Sequence, residues 1–154
     1  MKGKQAQGHR VPGGGVTARN DAGRLMPGHV FKGTRSFTKE EVELFCRVTR
    51  DRIPLHRVDD LAQRSKFGGL IVPGLLVTSM FADLLSDWDL LATEITIRFL
   101  APVYVEEPVE MTIAVTEKDG HRLGGTLECL ASGVRPVMRG VLKGISMEAV
   151  MREH

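Results

Sequence analysis

Pro73-Gly74-Leu75-Leu76-Val77-Thr78-Ser79-Met80-Phe81-Ala82-Asp83-Leu84-Leu85-Ser86-Asp87-Trp88 is the stretch that decides the fold class. Leu75, Leu76, Val77, Met80, Phe81, Leu84, Leu85 and Trp88 cover nearly every face of a helix, and a helix apolar all round is a buried one. Pro73 suits its first position, where a missing N–H costs nothing. The apolar run from Leu70 to Ala82 is broken by Pro73 and Gly74 and closes at Asp83, short of the roughly 20 residues that a membrane span needs.

Downstream the period changes from helical to two. Ile95, Ile97 and Phe99 alternate with Thr96 and Arg98, and Val109, Met111, Ile113 and Val115 alternate with Glu110, Thr112 and Thr116, the pattern of half-buried strands. Asp119-Gly120 is a hairpin signal, followed by strands near Leu123 to Ala131 and Val137 to Ser146. Short turns between sequential strands make them antiparallel.

Upstream, a short strand through Val30, Lys32 and Arg35 leads into a helix. Thr38-Lys39-Glu40-Glu41 fits a capping box, with Phe37 and Val42 as its hydrophobic staple. Val42, Phe45, Cys46 and Thr49 recur on one face, and the helix must stop before Pro54. Asp59 is placed to cap a short helical turn through Lys66, which Phe67-Gly68-Gly69 breaks. One strand, two helices and four strands, with one long helix for a curved sheet to wrap, predict an α+β fold.

The chain has 154 residues, enough for one domain. Its 21 basic and 19 acidic residues leave a net charge of +2, too even for a nucleic-acid stripe or a membrane surface. Cys46 and Cys129 stand apart from each other and from any metal-ligand spacing, so a reducing, cytoplasmic setting and no bound metal are expected. Eight of the 17 glycines fall in the first 33 residues, and residues 1–28 contain no aromatic. That segment reads as a flexible basic tail, with a mitochondrial transit segment as the alternative. Residues 29–147 are then the folded domain, and 148–154 a C-terminal tail. The tail glycines lack a phosphate-loop spacing.

The chemistry concentrates in Asp51-Arg52-Ile53-Pro54-Leu55-His56. The acid leaves a helix end, Pro54 forces a bend, and His56 follows five positions on, so both side chains can converge on one water. An Asp and a His at this spacing also occur as a plain surface pair. Ser79 and Cys46 lie within helices without a sequence-evident base, which argues against a nucleophile mechanism.

Several segments, in order, closely resemble the MaoC-like (R)-specific enoyl-CoA hydratases. They are Phe37 to Phe45, Thr49-Arg50-Asp51-Arg52-Ile53-Pro54-Leu55-His56 with Ala62 beyond it, Phe67-Gly68-Gly69-Leu70-Ile71-Val72-Pro73-Gly74-Leu75-Leu76, and Arg98-Phe99-Leu100-Ala101-Pro102-Val103. Arg50, Ile53 and Pro73 stand where that family usually has glycine, asparagine and histidine. The resemblance implies a hot-dog fold, an antiparallel sheet around a central helix from Gly74 to about Asp87, in a homodimer. It implies Asp51 and His56 as the catalytic acid–base pair and the Gly74 N–H as the oxyanion donor. Pro54, Ile71, Val72, Pro73, Leu75, Leu76 and Ser79 would form the substrate pocket.

The implied reaction is reversible hydration of a trans-2-enoyl thioester, carried on coenzyme A or acyl carrier protein, to the (3R)-3-hydroxyacyl form. No cofactor is expected beyond that carrier. A non-catalytic acyl-thioester-binding protein and a hot-dog thioesterase are the alternatives. Arg50 and Arg52 are either solvated helix-end charges or holders of ligand phosphate.

Overall fold

The computed structural model describes residues 22–151. Most of the expected N-terminal tail, residues 1–21, and the last three residues lie outside the described residues. The capping box forms as read. Thr38 Oγ1 accepts from the Glu41 N–H at 3.2 Å, and the Glu41 carboxylate accepts from the Thr38 N–H at 2.9 Å. This starts helix α1, Lys39–Thr49, with Phe37 and Val42 fully buried beside the cap.

The helix stops at Arg50, which takes the left-handed conformation at φ 58°. That backbone favours glycine and costs another residue on the order of 1 kcal/mol. A 3₁₀ turn, Pro54–His56, follows, and then α2, Asp59–Arg64. Asp59 does not cap α2. Val58 holds that position, and the Asp59 carboxylate instead pairs with Lys39 Nζ at 2.6 Å.

The central helix comes in two pieces, α3, Gly74–Thr78, and α4, Met80–Ser86. At Ser79 the backbone tightens, with its N–H shared between the Leu75 and Leu76 carbonyls at 3.1 Å. Pro73 is the N-cap rather than the first helical residue, and its carbonyl accepts from the Leu76 and Val77 N–H groups. Leu76, Val77, Met80, Phe81 and Leu85 are buried as expected, but Leu75 is 67% exposed. One face of the first turn is left open.

Around this helix curve β1, Val30–Arg35; β2, Leu90–Phe99; β3, Val109–Asp119; β4, Arg122–Ala131; and β5, Arg135–Ser146. They form one antiparallel sheet in the order β1-β3-β4-β5-β2. Bulges at Ala92/Glu94, Val115/Glu117 and Cys129/Leu130 bend it. At Gly125 in β4, a Cβ would stand 2.7 Å from the Ala114 carbonyl oxygen, so the close approach of β3 demands glycine. The alternation read in β3 is the buried one: Val109, Met111, Ile113 and Val115 all face the core. In β2 it is not. Ile95 is 41% and Phe99 53% exposed, because β2 is an edge strand whose outer half no helix covers.

Both expected tail boundaries move. Within residues 22–28, Leu25 is 1% exposed and, with Ala22, forms a second apolar cluster against Val115 and Leu123. Phe31 and Trp88, with ring centroids 4.9 Å apart, border it. The Gly28 N–H donates to the Val115 carbonyl. At the other end, Met147–Met151 form a short helix, α5, where a tail was expected.

If Leu25 anchors this segment, Leu25→Ala should destabilise the protein by about 2–5 kcal/mol in urea unfolding. A change under about 0.5 kcal/mol would mean that the segment behaves as a tail.

Candidate active site

The side chains of Asp51 and His56 meet at the wall of an apolar cleft of about 730 Å³. His56 closes the 3₁₀ turn and is 7% exposed. Its Nδ1 lies 2.7 Å from the Ile71 carbonyl oxygen. A carbonyl only accepts, so Nδ1 carries a proton, and in the neutral form of the ring Nε2 is the nitrogen left to act as a base. Nε2 stands 3.8 Å from Asp51 Oδ2, beyond direct hydrogen-bond reach and close enough for both to bind one water. The other oxygen, Asp51 Oδ1, accepts from the Ile53 N–H at 2.9 Å, which fixes the carboxylate on its loop.

Gly74 lines the same cleft. Its N–H opens α3 and donates to no group among the described residues. A Cβ at residue 74 would stand 2.7 Å from Phe99 Cε1 and 2.9 Å from Cζ, so the Phe99 ring already fills that space.

Of the pocket residues expected from sequence, Ile71, Val72, Pro73 and Leu75 line the cleft. Pro54, Leu76 and Ser79 do not: Leu76 turns into the core, and Ser79 points away with its hydroxyl on the Leu76 carbonyl. Phe45, Thr49, Phe67, Phe99, Leu100 and Val137 were not anticipated as lining residues. For Phe99 and Leu100 the signal was present, in the Arg98-Phe99-Leu100-Ala101-Pro102-Val103 segment itself.

The wall from Ala101 to Val103 is clamped from behind. Arg135 Nη1 donates to the Pro102 carbonyl at 2.6 Å, and Nη2 donates to both oxygens of Glu107 at 2.7 Å. Glu107 also accepts from the Tyr104 N–H and the Ser132 hydroxyl. Burial pushes the Glu107 carboxyl up, but Arg135, Tyr104 and Ser132 outweigh it and hold the group below the usual carboxylate range. Tyr104 in turn donates its hydroxyl to the Phe67 carbonyl at 2.9 Å, tying this wall to the opposite lip.

A curved antiparallel sheet around a central helix, with an acid and a histidine at the helix's entry, defines a hot-dog protein. Solved structures share this fold. The (R)-hydratase of A. caviae superposes with a TM-score of 0.76 at 24% identity, over 80% of this chain and 98% of that one. A protein of Archaeoglobus fulgidus, af1124, superposes at 0.77 with 26% identity, over 87% of each chain. The MaoC like domain family model matches residues 26–129, and the chain belongs to that family.

Its curated relatives include a mitochondrial 3-hydroxyacyl-[acyl-carrier-protein] dehydratase of Arabidopsis thaliana, 31% identical over 87 residues, which are 55% of this chain and 52% of the relative. A 3-hydroxybutyryl-CoA dehydratase of Methylorubrum extorquens is 28% identical over 102 residues, which are 64% of this chain and 65% of the relative. The chain thus spans about half the length of the plant protein.

Gly74→Ala should destabilise the wild-type chain by about 1–3 kcal/mol through the clash with Phe99. In a Phe99→Ala background the same change should become neutral or stabilising, since alanine is otherwise the better helix residue. A cycle of four thermal melts reads the reversal, and equal effects in both backgrounds would refute it.

Because the folded Glu107 pKa lies below the unfolded one, its contribution to stability is full above the ordinary value of 4.5 and is lost as pH falls through the folded value. Glu107→Gln should lower stability at pH 7 by on the order of 1–2 kcal/mol. It should also flatten the loss below pH 4.5 in urea titrations; an unchanged acid limb would remove Glu107 as its source.

Proposed function

We propose that the protein is a hydro-lyase that adds water to trans-2-enoyl thioesters to give (3R)-3-hydroxyacyl thioesters, and catalyses the reverse dehydration. The observation that carries this reading is the 3.8 Å pairing of His56 Nε2 with Asp51 Oδ2 in a cleft that Gly74 also lines. Membership of the MaoC-like family and relatives named as dehydratases support it.

In the forward direction a water held between the two groups gives a proton to His56 Nε2 as its oxygen bonds to C3. The C2=C3 electron pair moves toward the thioester, and its carbonyl oxygen takes up negative charge. The Gly74 N–H donates to that oxygen, a contribution worth about 3–4 kcal/mol of barrier in comparable sites. The imidazolium then returns its proton to C2, so water is added in full and the pair is restored. The apolar walls, Val72, Val77, Val103 and Val137, hold the acyl chain. The thioester is carried on coenzyme A or acyl carrier protein, and no other cofactor is called for. The working unit is a homodimer: Leu91, Ile95 and Phe99 leave an apolar edge on β2 that a second copy would cover.

With crotonyl-CoA, the wild-type protein should remove the conjugated enoyl absorbance without releasing thiol. Asp51→Asn and His56→Ala should each lower kcat by about 10²–10⁴-fold. Thiol release would assign a thioesterase, and tight binding without turnover a thioester-binding protein.

A further inference from the structure

We propose that Tyr104 is a positioning residue of the cleft: its hydroxyl holds Phe67 in the cleft wall, and so governs how tightly a thioester binds rather than how fast it reacts. This rests on the functional reading above and adds to it a residue outside the acid–histidine pair.

Phe67 stands on the loop between α2 and α3. Ser65 closes α2, its carbonyl accepts from the Gly68 N–H at 3.1 Å, and its hydroxyl accepts from the Phe67 N–H at 3.1 Å. These bonds shape the turn without fixing it against the rest of the fold. Gly68, at φ 69°, adds a residue whose backbone resists rearrangement little. Phe67 is half-buried and lines the cleft, yet it is not among the side chains packed on either apolar cluster. The Lys66 ammonium lies 5.2 Å from the centroid of its ring, a contact that moves with the loop. Where the ring sits therefore follows where the loop backbone is held.

Tyr104 does the holding. Among the described residues, its hydroxyl, donating to the Phe67 carbonyl at 2.9 Å, makes the one side-chain hydrogen bond that this loop receives from another element. Its ring lies beside Gly69, where a Cβ would stand 3.7 Å from Tyr104 Cδ1. Tyr104 is fixed in turn by its N–H on the Glu107 carboxylate at 3.0 Å and by the Arg135 guanidinium, 5.8 Å from its ring centroid. Further along the same segment the histidine's support is independent of the phenol. Leu70 and Val72 are bonded to the backbone of Val105 and Val103, and between them the Ile71 carbonyl accepts from His56. Loss of the hydroxyl thus frees Phe67 and leaves His56 in place.

The test compares Tyr104→Phe, Phe67→Ala and the double variant with wild type. Tyr104→Phe keeps the ring beside Gly69 and removes one oxygen. Should it lose stability, Phe67→Ala, at a half-exposed position, reads the same contact. Crotonyl-CoA reports turnover, and butyryl-CoA, which is saturated and cannot be hydrated, gives a calorimetric Kd. In Tyr104→Phe the Kd and the KM should both rise about 3–10-fold, because the binding-competent wall is then populated only part of the time. Its kcat, and the pH profile of kcat, should stay within about twofold of wild type. In the Phe67→Ala background the same change should move Kd and KM by less than about 1.5-fold, since the two residues act through one contact.

Unchanged Kd and KM in Tyr104→Phe, with only a lower melting temperature, overturn the proposal and make the hydroxyl a stabilising bond alone. Equal rises in both backgrounds overturn it too, because the hydroxyl then acts elsewhere than on Phe67. A fall in kcat with a displaced pH profile does the same by routing the effect through His56. If wild type binds butyryl-CoA without hydrating crotonyl-CoA, the hydratase reading fails and the Kd pattern alone decides the role of Tyr104. If it neither binds nor hydrates, both readings fall.

Discussion

One short antiparallel contact holds the cleft together. The Val72 N–H donates to the Val103 carbonyl at 2.7 Å, and the Val105 N–H to the Leu70 carbonyl at 3.2 Å. This stitches the segment entering α3 to the loop that follows β2. The same segment faces the other way as well: its Ile71 N–H donates to the Leu55 carbonyl, and its Ile71 carbonyl accepts from His56. Three residues therefore set the first turn of the central helix, the acid–histidine loop and the far wall in mutual register. Displacing any of the three would break backbone hydrogen bonds in a partly buried strip, where an unmade bond costs more than a made one contributes.

From that register the chemistry of the imidazole follows. Were Nδ1 to face a group able to donate, either tautomer would be available. Facing a carbonyl it has one neutral form, and the basic nitrogen is the one turned to Asp51. The carboxylate is held as firmly, by the backbone two residues on. Among the described residues no buried side-chain polar atom lacks a partner. The site is thus preorganised by bonds made elsewhere, and its reacting groups keep their remaining lone pairs for a ligand.

How much of this could be read from the chain alone depended on the range of the signal. The capping box, the bend at Pro54 and the acid–histidine spacing are local, and each is legible in a few adjacent letters. The pattern in β3 was sound because both neighbours of that strand and the helix cover it. The same pattern in β2 named the inward face correctly, since the Phe99 ring does lie on Gly74, but periodicity says nothing about whether that face is covered. Leu25 escaped because composition is an average over a window, and a single anchoring leucine barely changes the average of a glycine-rich one. The Glu107–Arg135 clamp joins residues 28 positions apart through the β4–β5 pairing, a contact that no local window contains.

Gly74 and Arg50 separate two demands that a family pattern writes with the same letter. At residue 74 the demand is on volume: the helical backbone would accept alanine, but the Phe99 ring leaves no room for a methyl group. At residue 50 the demand is on the backbone: the side chain has open solvent, and only the left-handed φ resists it. A volume demand is met only when the neighbouring ring shifts, at a cost of about 1–3 kcal/mol. A backbone demand is a matter of about 1 kcal/mol and can be overridden. This is why the chain can depart from the pattern at residue 50 without losing the loop that presents Asp51, while the glycine at 74 is informative about packing.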